Sequence, residues 1–178
     1  VSMFLKVEPV VHREIQGLCR RPYPDHPRGC PNYGHKEGCP PFVPLFDEKY
    51  DCTQGVYAII TEFDLKEHAG RMKAKHPLWT ERQCRNLLFW QGKARKNLKA
   101  EISRFLVSHP RHGVEMAPEA LGVNVTRTLR NVGIYLEWPP RDIARQVAMA
   151  ALPRGSEMEI AAQYNLEFRK RHSDGGKG

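Results

Sequence analysis

The sequence predicts an α/β or α+β domain: a small sheet with several helices and a long, proline-rich N-terminal loop. Three observations carry that expectation. Gly55 to Phe63 is β-branched and aromatic, bounded by Gly55 and the polar Asp64, which is the composition of a strand. From Thr80 to Ser108, apolar residues recur at three- and four-residue steps, the period of an amphipathic helix. Between Pro22 and Pro44 lie seven of the chain's 14 prolines. Proline removes a backbone donor and fixes φ, so that stretch forms neither a helix nor a central strand.

Taken in order, Phe4 to Val11 is a β-branched stretch that Pro9 confines to a sheet edge or ends early. His12 to Leu18 allows a helical turn leading into Cys19, and the loop then runs to Phe46. After the Gly55–Phe63 strand, Asp64 caps a helix over Leu65 to Lys75, with Glu67 completing a capping-box pattern and His76-Pro77 ending it. The long helix from Thr80 carries Cys84, Leu87, Leu88, Ala94, Leu98, Ile102, Phe105 and Leu106 on its apolar stripe. Gly92 is its weak point, costing about 1 kcal/mol relative to alanine. Met116 to Gly122 is a short helix started by Pro118, and Asn124 to Asn131 a second, stopped by Gly133. Ile134 to Trp138 reads as a strand closed by Pro139-Pro140, Asp142 to Leu152 is open between strand and helix, and Ser156 to Phe168 has helical character. Residues 3–172 then form a single domain, and 173–178 a disordered tail. Crossovers favour parallel pairing, while the strand order is not legible.

The formal charge of +8 and the pI near 9.4 favour an anionic partner: a small anion, a nucleotide, or RNA or DNA. No apolar run approaches the roughly 20 residues of a membrane span, and no signal-peptide pattern opens the chain, so a cytoplasmic protein is expected. An odd number of cysteines, five, argues against a disulfide framework, and a reducing compartment keeps thiols available for metal.

Three of those cysteines, Cys19, Cys30 and Cys39, fall in the proline-rich loop. Ordering about 23 such residues costs roughly 1–2 kcal/mol each, and a metal contributing on the order of 10–16 kcal/mol offsets much of it. Cys30 and Cys39 are each followed by proline, a step found in iron–sulfur ligand runs. Three thiolates on a [4Fe–4S] cluster leave one iron open to a ligand, which points to chemistry rather than electron transfer alone. Zinc stays open as the alternative, because His35 completes a Cys3His set, although the gap between Cys19 and Cys30 is longer than in common zinc modules. Buried thiols without metal are the bland reading. Cys84 reads as core before fourth ligand, and Cys52, flanked by Asp51 and Thr53, as an unremarkable thiol before ligand.

Around the cysteines, Arg20, Arg28 and Lys36 are candidates to bind an anionic substrate, and Tyr33 to cover the metal or donate a hydrogen bond. His35, His26 and, further along, Glu119 can move protons, with His35 and Glu119 as the catalytic candidates. Solvated loop charge is the plain reading of the basic residues, and capping that of Asn124. Removal or transfer of sulfur is one reaction such a centre can support. A different class of function is a zinc-stabilised module docking RNA or DNA through the basic surface of Arg82, Arg85, Lys93, Arg95, Lys96 and Lys99. A third is an electron-carrying subunit.

Tyr33-Gly34…Cys39-Pro40-Pro41, followed by Pro118-Glu-Ala-Leu-Gly-Val-Asn-Val125 and on to Gly133-Ile134, resembles a family of predicted cysteine-rich metal-binding proteins of unknown function. That family carries a Cys…Tyr-Gly…Cys-Pro-Pro signature and a Glu-Ala-hydrophobic-Gly-Ile-Asp-Val region. The resemblance spans about residues 15–138 through two short motifs, and it implies metal binding rather than a particular reaction. Family members carry a further cysteine cluster between the motifs. This chain has only Cys52 and Cys84 there, so one site is expected.

Overall fold

In a computed structural model, which describes residues 2–22, 26–155 and 157–172, the chain has a mixed α+β fold built on a five-stranded antiparallel sheet. The strands are β1 (Ser2–Val7), β2 (Tyr50–Asp51), β3 (Val56–Asp64), β4 (Gly113–Glu115) and β5 (Ile143–Pro153). Their order is β1-β3-β5-β2, with β4 also paired to β5. The parallel pairing favoured from the sequence is therefore corrected, since every pair is antiparallel. Asp142 to Leu152, open from the sequence, becomes the central strand: β3 pairs with it from Tyr57↔Ala150 to Asp64↔Ile143.

β3 reads as a near-continuous apolar run because both faces of the sheet are covered. Val56, Ala58 and Ile60 face a cluster with Leu121, Val123, Val125, Leu129 and Phe46. Ile59, with Ala148 and Ala150 of β5, faces Leu98, Ile102, Phe105 and Leu106. Those four belong to α5 (Gln91–Ser108), so the predicted stripe packs as its period requires.

Helix α3 (Leu65–Lys75) has the predicted bounds, and the Asp64 side chain accepts from the Glu67 N–H at 2.7 Å. Glu67 does not return the capping-box bond; its carboxylate pairs instead with Arg71. The single helix expected from Thr80 to Ser108 is broken into α4 (Glu81–Cys84), a 3-10 turn at Leu87–Phe89, and α5. The break lies upstream of Gly92. Its cause is the burial of Trp90, which stacks on Phe63 at 5.4 Å and donates its indole N–H to Arg85 O, while Asn86 caps Leu88 N–H. Leu87 and Leu88 are consequently exposed rather than on the stripe.

The strand expected at Ile134–Trp138 is absent. Glu137 instead accepts from the N–H groups of Arg141 and Asp142, folding the chain back over Pro139-Pro140, where a ladder lacks donors. Helices α1 (Arg13–Gly17), α2 (Phe46–Lys49), α6 (Val125–Arg130) and α7 (Glu157–His172) complete the fold, with a 3-10 turn at Pro118–Leu121 where a short helix was expected. The expected disordered tail, 173–178, lies outside the described residues.

Candidate metal centre

The candidate centre is built where two distant segments are stitched together. His12 N–H donates to Gly122 O at 2.8 Å and Asn124 N–H to Val10 O at 2.8 Å, with Val11 and Val123 bridged antiparallel between them. The buried Gln16 of α1 donates through Nε2 to Ala120 O at 3.0 Å and to Val43 O at 3.2 Å. One amide thus ties the helix before Cys19, the segment holding Glu119 and the end of the proline-rich loop. Gly122 makes this close approach possible: its φ is +80°, and a Cβ there would lie 2.6 Å from Leu45 Cδ2 and 2.9 Å from His12 O.

Cys19 follows in a 3-10 turn, Leu18–Arg20. The loop returns to it directly, since Cys30 N–H donates to Cys19 O at 2.7 Å. Gly29, at φ +81°, presses so closely that a Cβ would lie 2.5 Å from Cys19 O. From Cys30 the chain makes a compact turn: Tyr33 N–H bonds Cys30 O, His35 and Lys36 N–H bond Asn32 O, and Cys39 N–H bonds Lys36 O. Gly34 N–H closes it on Pro40 O at 2.8 Å. No helix or strand element forms among the described residues between Arg20 and Phe46. Turns and backbone bonds between cysteines order this segment.

All three loop cysteines are free thiols and half-buried. The Cys19 thiol is pushed above its ordinary pKa by desolvation, and further by Cys30, Cys39 and Glu119, whose negative charges oppose a thiolate there. Those three groups therefore share the surroundings of Cys19. Glu119 is exposed as a residue, yet desolvation by neighbouring protein raises its carboxyl above the usual carboxylate range. Among the described residues, no three His, Cys, Asp or Glu side chains stand grouped as ligands of one metal ion. What fits a soft metal is the donor chemistry: three free, half-sheltered thiols on one loop.

The other predicted residues divide clearly. Arg20, Arg28, Lys36 and His35 are exposed, and Tyr33 is half-buried. His35 sits on the turn between Cys30 and Cys39 but is not among the groups acting on Cys19. His26 is half-buried and accepts the Gly29 N–H at its carbonyl. Cys84 is fully buried in α4 and belongs to the core, and Cys52 packs beside β2 with its thiol raised chiefly by burial. Asn124 caps α6, accepting from Arg127 N–H. The basic helix surface is divided by the break: Arg82 and Arg85 sit on the α4 side, and Lys93, Arg95, Lys96 and Lys99 on α5. Gln16 was missed; its only signal was a glutamine between apolar Ile15 and Leu18 in a short helix. Comparison with protein-family models, with curated proteins and with solved structures returns no match for this chain.

Proposed function

We propose that this chain is an iron–sulfur protein in which Cys19, Cys30 and Cys39 hold one [4Fe–4S] cluster and the surrounding cations receive an anionic small molecule or nucleotide. The observation that supports the reading is a set of three free, half-buried thiols on one loop, with Cys30, Cys39 and Glu119 near enough for their charges to disfavour a Cys19 thiolate. Thiolates gathered this way repel one another, and a soft metal cation converts that repulsion into ligation. The Cys30–Cys19 and Gly34–Pro40 backbone bonds support it, because they hold the Cys-Pro steps near Cys19 without a hydrophobic core of their own. Held by Cys19, Cys30 and Cys39, such a cluster would leave one iron without a protein thiolate and would supply Lewis-acid binding there, with removal or transfer of sulfur as the reaction class.

The chain's own residues have separate tasks in this reading. Arg20, Arg28 and Lys36 are exposed, form no ion pair among the described residues, and attract the anion. Tyr33, half-buried on the same loop, is assigned to cover the metal or donate a hydrogen bond to it. Glu119, raised by desolvation, keeps its proton to higher pH than an ordinary carboxylate and shares the proton-moving role with His35.

Anaerobic purification with iron, sulfide and zinc analysis and electron paramagnetic resonance tests the reading. The expected result is a coloured protein with about four iron and four sulfide per chain, lost on Cys30→Ala. A colourless chain with one zinc lost on the same substitution replaces the cluster with a structural zinc site. Equal metal content in wild type and Cys30→Ala ends both.

A further inference from the structure

A second surface, remote in sequence from the cysteines, has the makings of a binding track. A groove of 1240 Å³ runs between α4, the turn after it, and the segment from Leu136 to Gln146. It exceeds the roughly 300–1,000 Å³ of a small-molecule pocket. A neighbouring groove on α3 shares Glu81 and Arg85 with it, so the two adjoin. Along their combined length lie Lys66, Lys73, Arg82, Arg85, Arg141 and Arg145, against only Glu81 and Glu137 as acids.

The hydrogen bonds sort these cations. Arg85 is held by Glu81 and by the carbonyl of Arg141, which ties one wall to the other. Arg145 is held in a two-pronged contact by Glu62 and donates to Tyr135 O. Lys73 donates to Trp79 O. Lys66, Arg82 and Arg141 make no side-chain ion pair among the described residues, and all three are exposed. Three cations thus brace the walls and three are free for an anion.

The same groove carries a flat apolar surface that packing does not explain. Trp138 lines it and is 72% exposed; Tyr135, three residues earlier and outside the groove lining, is 68% exposed. An indole held outward next to unengaged guanidinium groups is the pairing that single-stranded nucleic acid uses: bases stack on the ring while phosphates follow the cations. A duplex cannot supply the stacking half of that match, because its bases are already stacked on each other.

We propose that the groove between α4 and the Leu136–Gln146 segment binds single-stranded nucleic acid, with Trp138 stacking a base, Arg82 and Arg141 contacting phosphates, and Lys66 of the adjoining α3 groove contacting a further phosphate. The site uses no cysteine and stands or falls apart from the metal reading. It also differs from a basic face on one long helix, which the break at Arg85–Trp90 removes.

Fluorescence anisotropy with a labelled oligouridylate of about twelve nucleotides, titrated at several salt concentrations, tests this on the full chain. Wild type is expected to bind with an affinity that falls steeply with salt. Trp138→Ala should weaken it about tenfold and Trp138→Phe much less, since a ring remains to stack. Arg82→Gln with Arg141→Gln should weaken binding and reduce the salt slope by roughly 0.7 for each phosphate left without its cation. These side chains are exposed, and unchanged thermal midpoints confirm that the variants fold. Cys30→Ala should bind like wild type. The proposal is overturned by absent binding, by equal affinity for a duplex of the same length, or by affinity that both sets of substitutions leave unchanged. Light scattering that shows self-association abolished by Trp138→Ala overturns it too, and assigns the groove to a second copy of the chain.

Discussion

Cys19 feels four influences at once: partial burial and the negative charges of Cys30, Cys39 and Glu119. Removing neighbours must therefore ease its ionisation. In metal-stripped protein, Cys30→Ala with Cys39→Ala should lower the pH midpoint at which Cys19 is alkylated, followed by mass spectrometry of its peptide. An unchanged midpoint means the three sulfurs do not share surroundings. Cys84 supplies the contrast, being fully buried in α4 and outside that group. Cys84→Ala should keep the metal and cost about 1 kcal/mol of stability, measured by urea unfolding. Loss of metal there would instead make it the fourth ligand. The cysteines themselves were legible because a proline-rich run with no ladder of its own demands another tether. Glu119 was singled out only from a short motif; that its charge reaches Cys19 depends on Gln16 and Gly122, more than a hundred residues apart in sequence.

Among the elements, the junction at Gly122 is the most exposed to a single change. Gly122→Ala puts a Cβ against the His12 carbonyl and forces a left-handed φ on an L residue. About 1–3 kcal/mol of destabilisation is expected, together with reduced metal content, since the same junction aligns α1 with Glu119. A variant with wild-type stability and metal would show that the two segments are not coupled. The elements legible in the sequence share one property: their signals are local. Asp64 caps α3 and Asn124 caps α6 through bonds to residues three positions on. The break after α4 was not legible because it comes from Trp90 meeting Phe63, a contact across the fold. β5 stayed ambiguous for a related reason. Its alanines tolerate helix or strand, and pairing with β3 decides. β2 and β4 are too short to show a period.

For the molecule as a whole, the half-buried His112 sets a pH response. Desolvation lowers its pKa to about 4, with His109 and Arg111 adding to the effect, and its Nδ1 is buried without a partner among the described residues. The unfolded chain, titrating near 6.5, then binds a proton that the folded chain refuses. Stability is therefore complete above about pH 6.5 and falls as pH drops towards about 4. His68, also lowered chiefly by burial, acts in the same direction, whereas Glu119, shifted upward, opposes it. The decisive measure is thus the change in slope: urea midpoints between pH 7 and 5 should decline for wild type and decline less for His112→Gln. Equal slopes would mean that His112 is open to water in the native state.

The antiparallel stitch between Val11 and Val123 has an implication for how the chain is made. A ribosome releases Cys19, Cys30 and Cys39 long before it releases Ala120 and Gly122, whose carbonyls hold the first turn of that region in position. The β1–β3 ladder can close early, because its strands lie within the first 64 residues. The thiols, by contrast, must wait for about two-thirds of the polypeptide to emerge before their docking surface exists. During that interval they are unsheltered nucleophiles on a nascent chain, so any inorganic group they acquire is best delivered late in synthesis or after it.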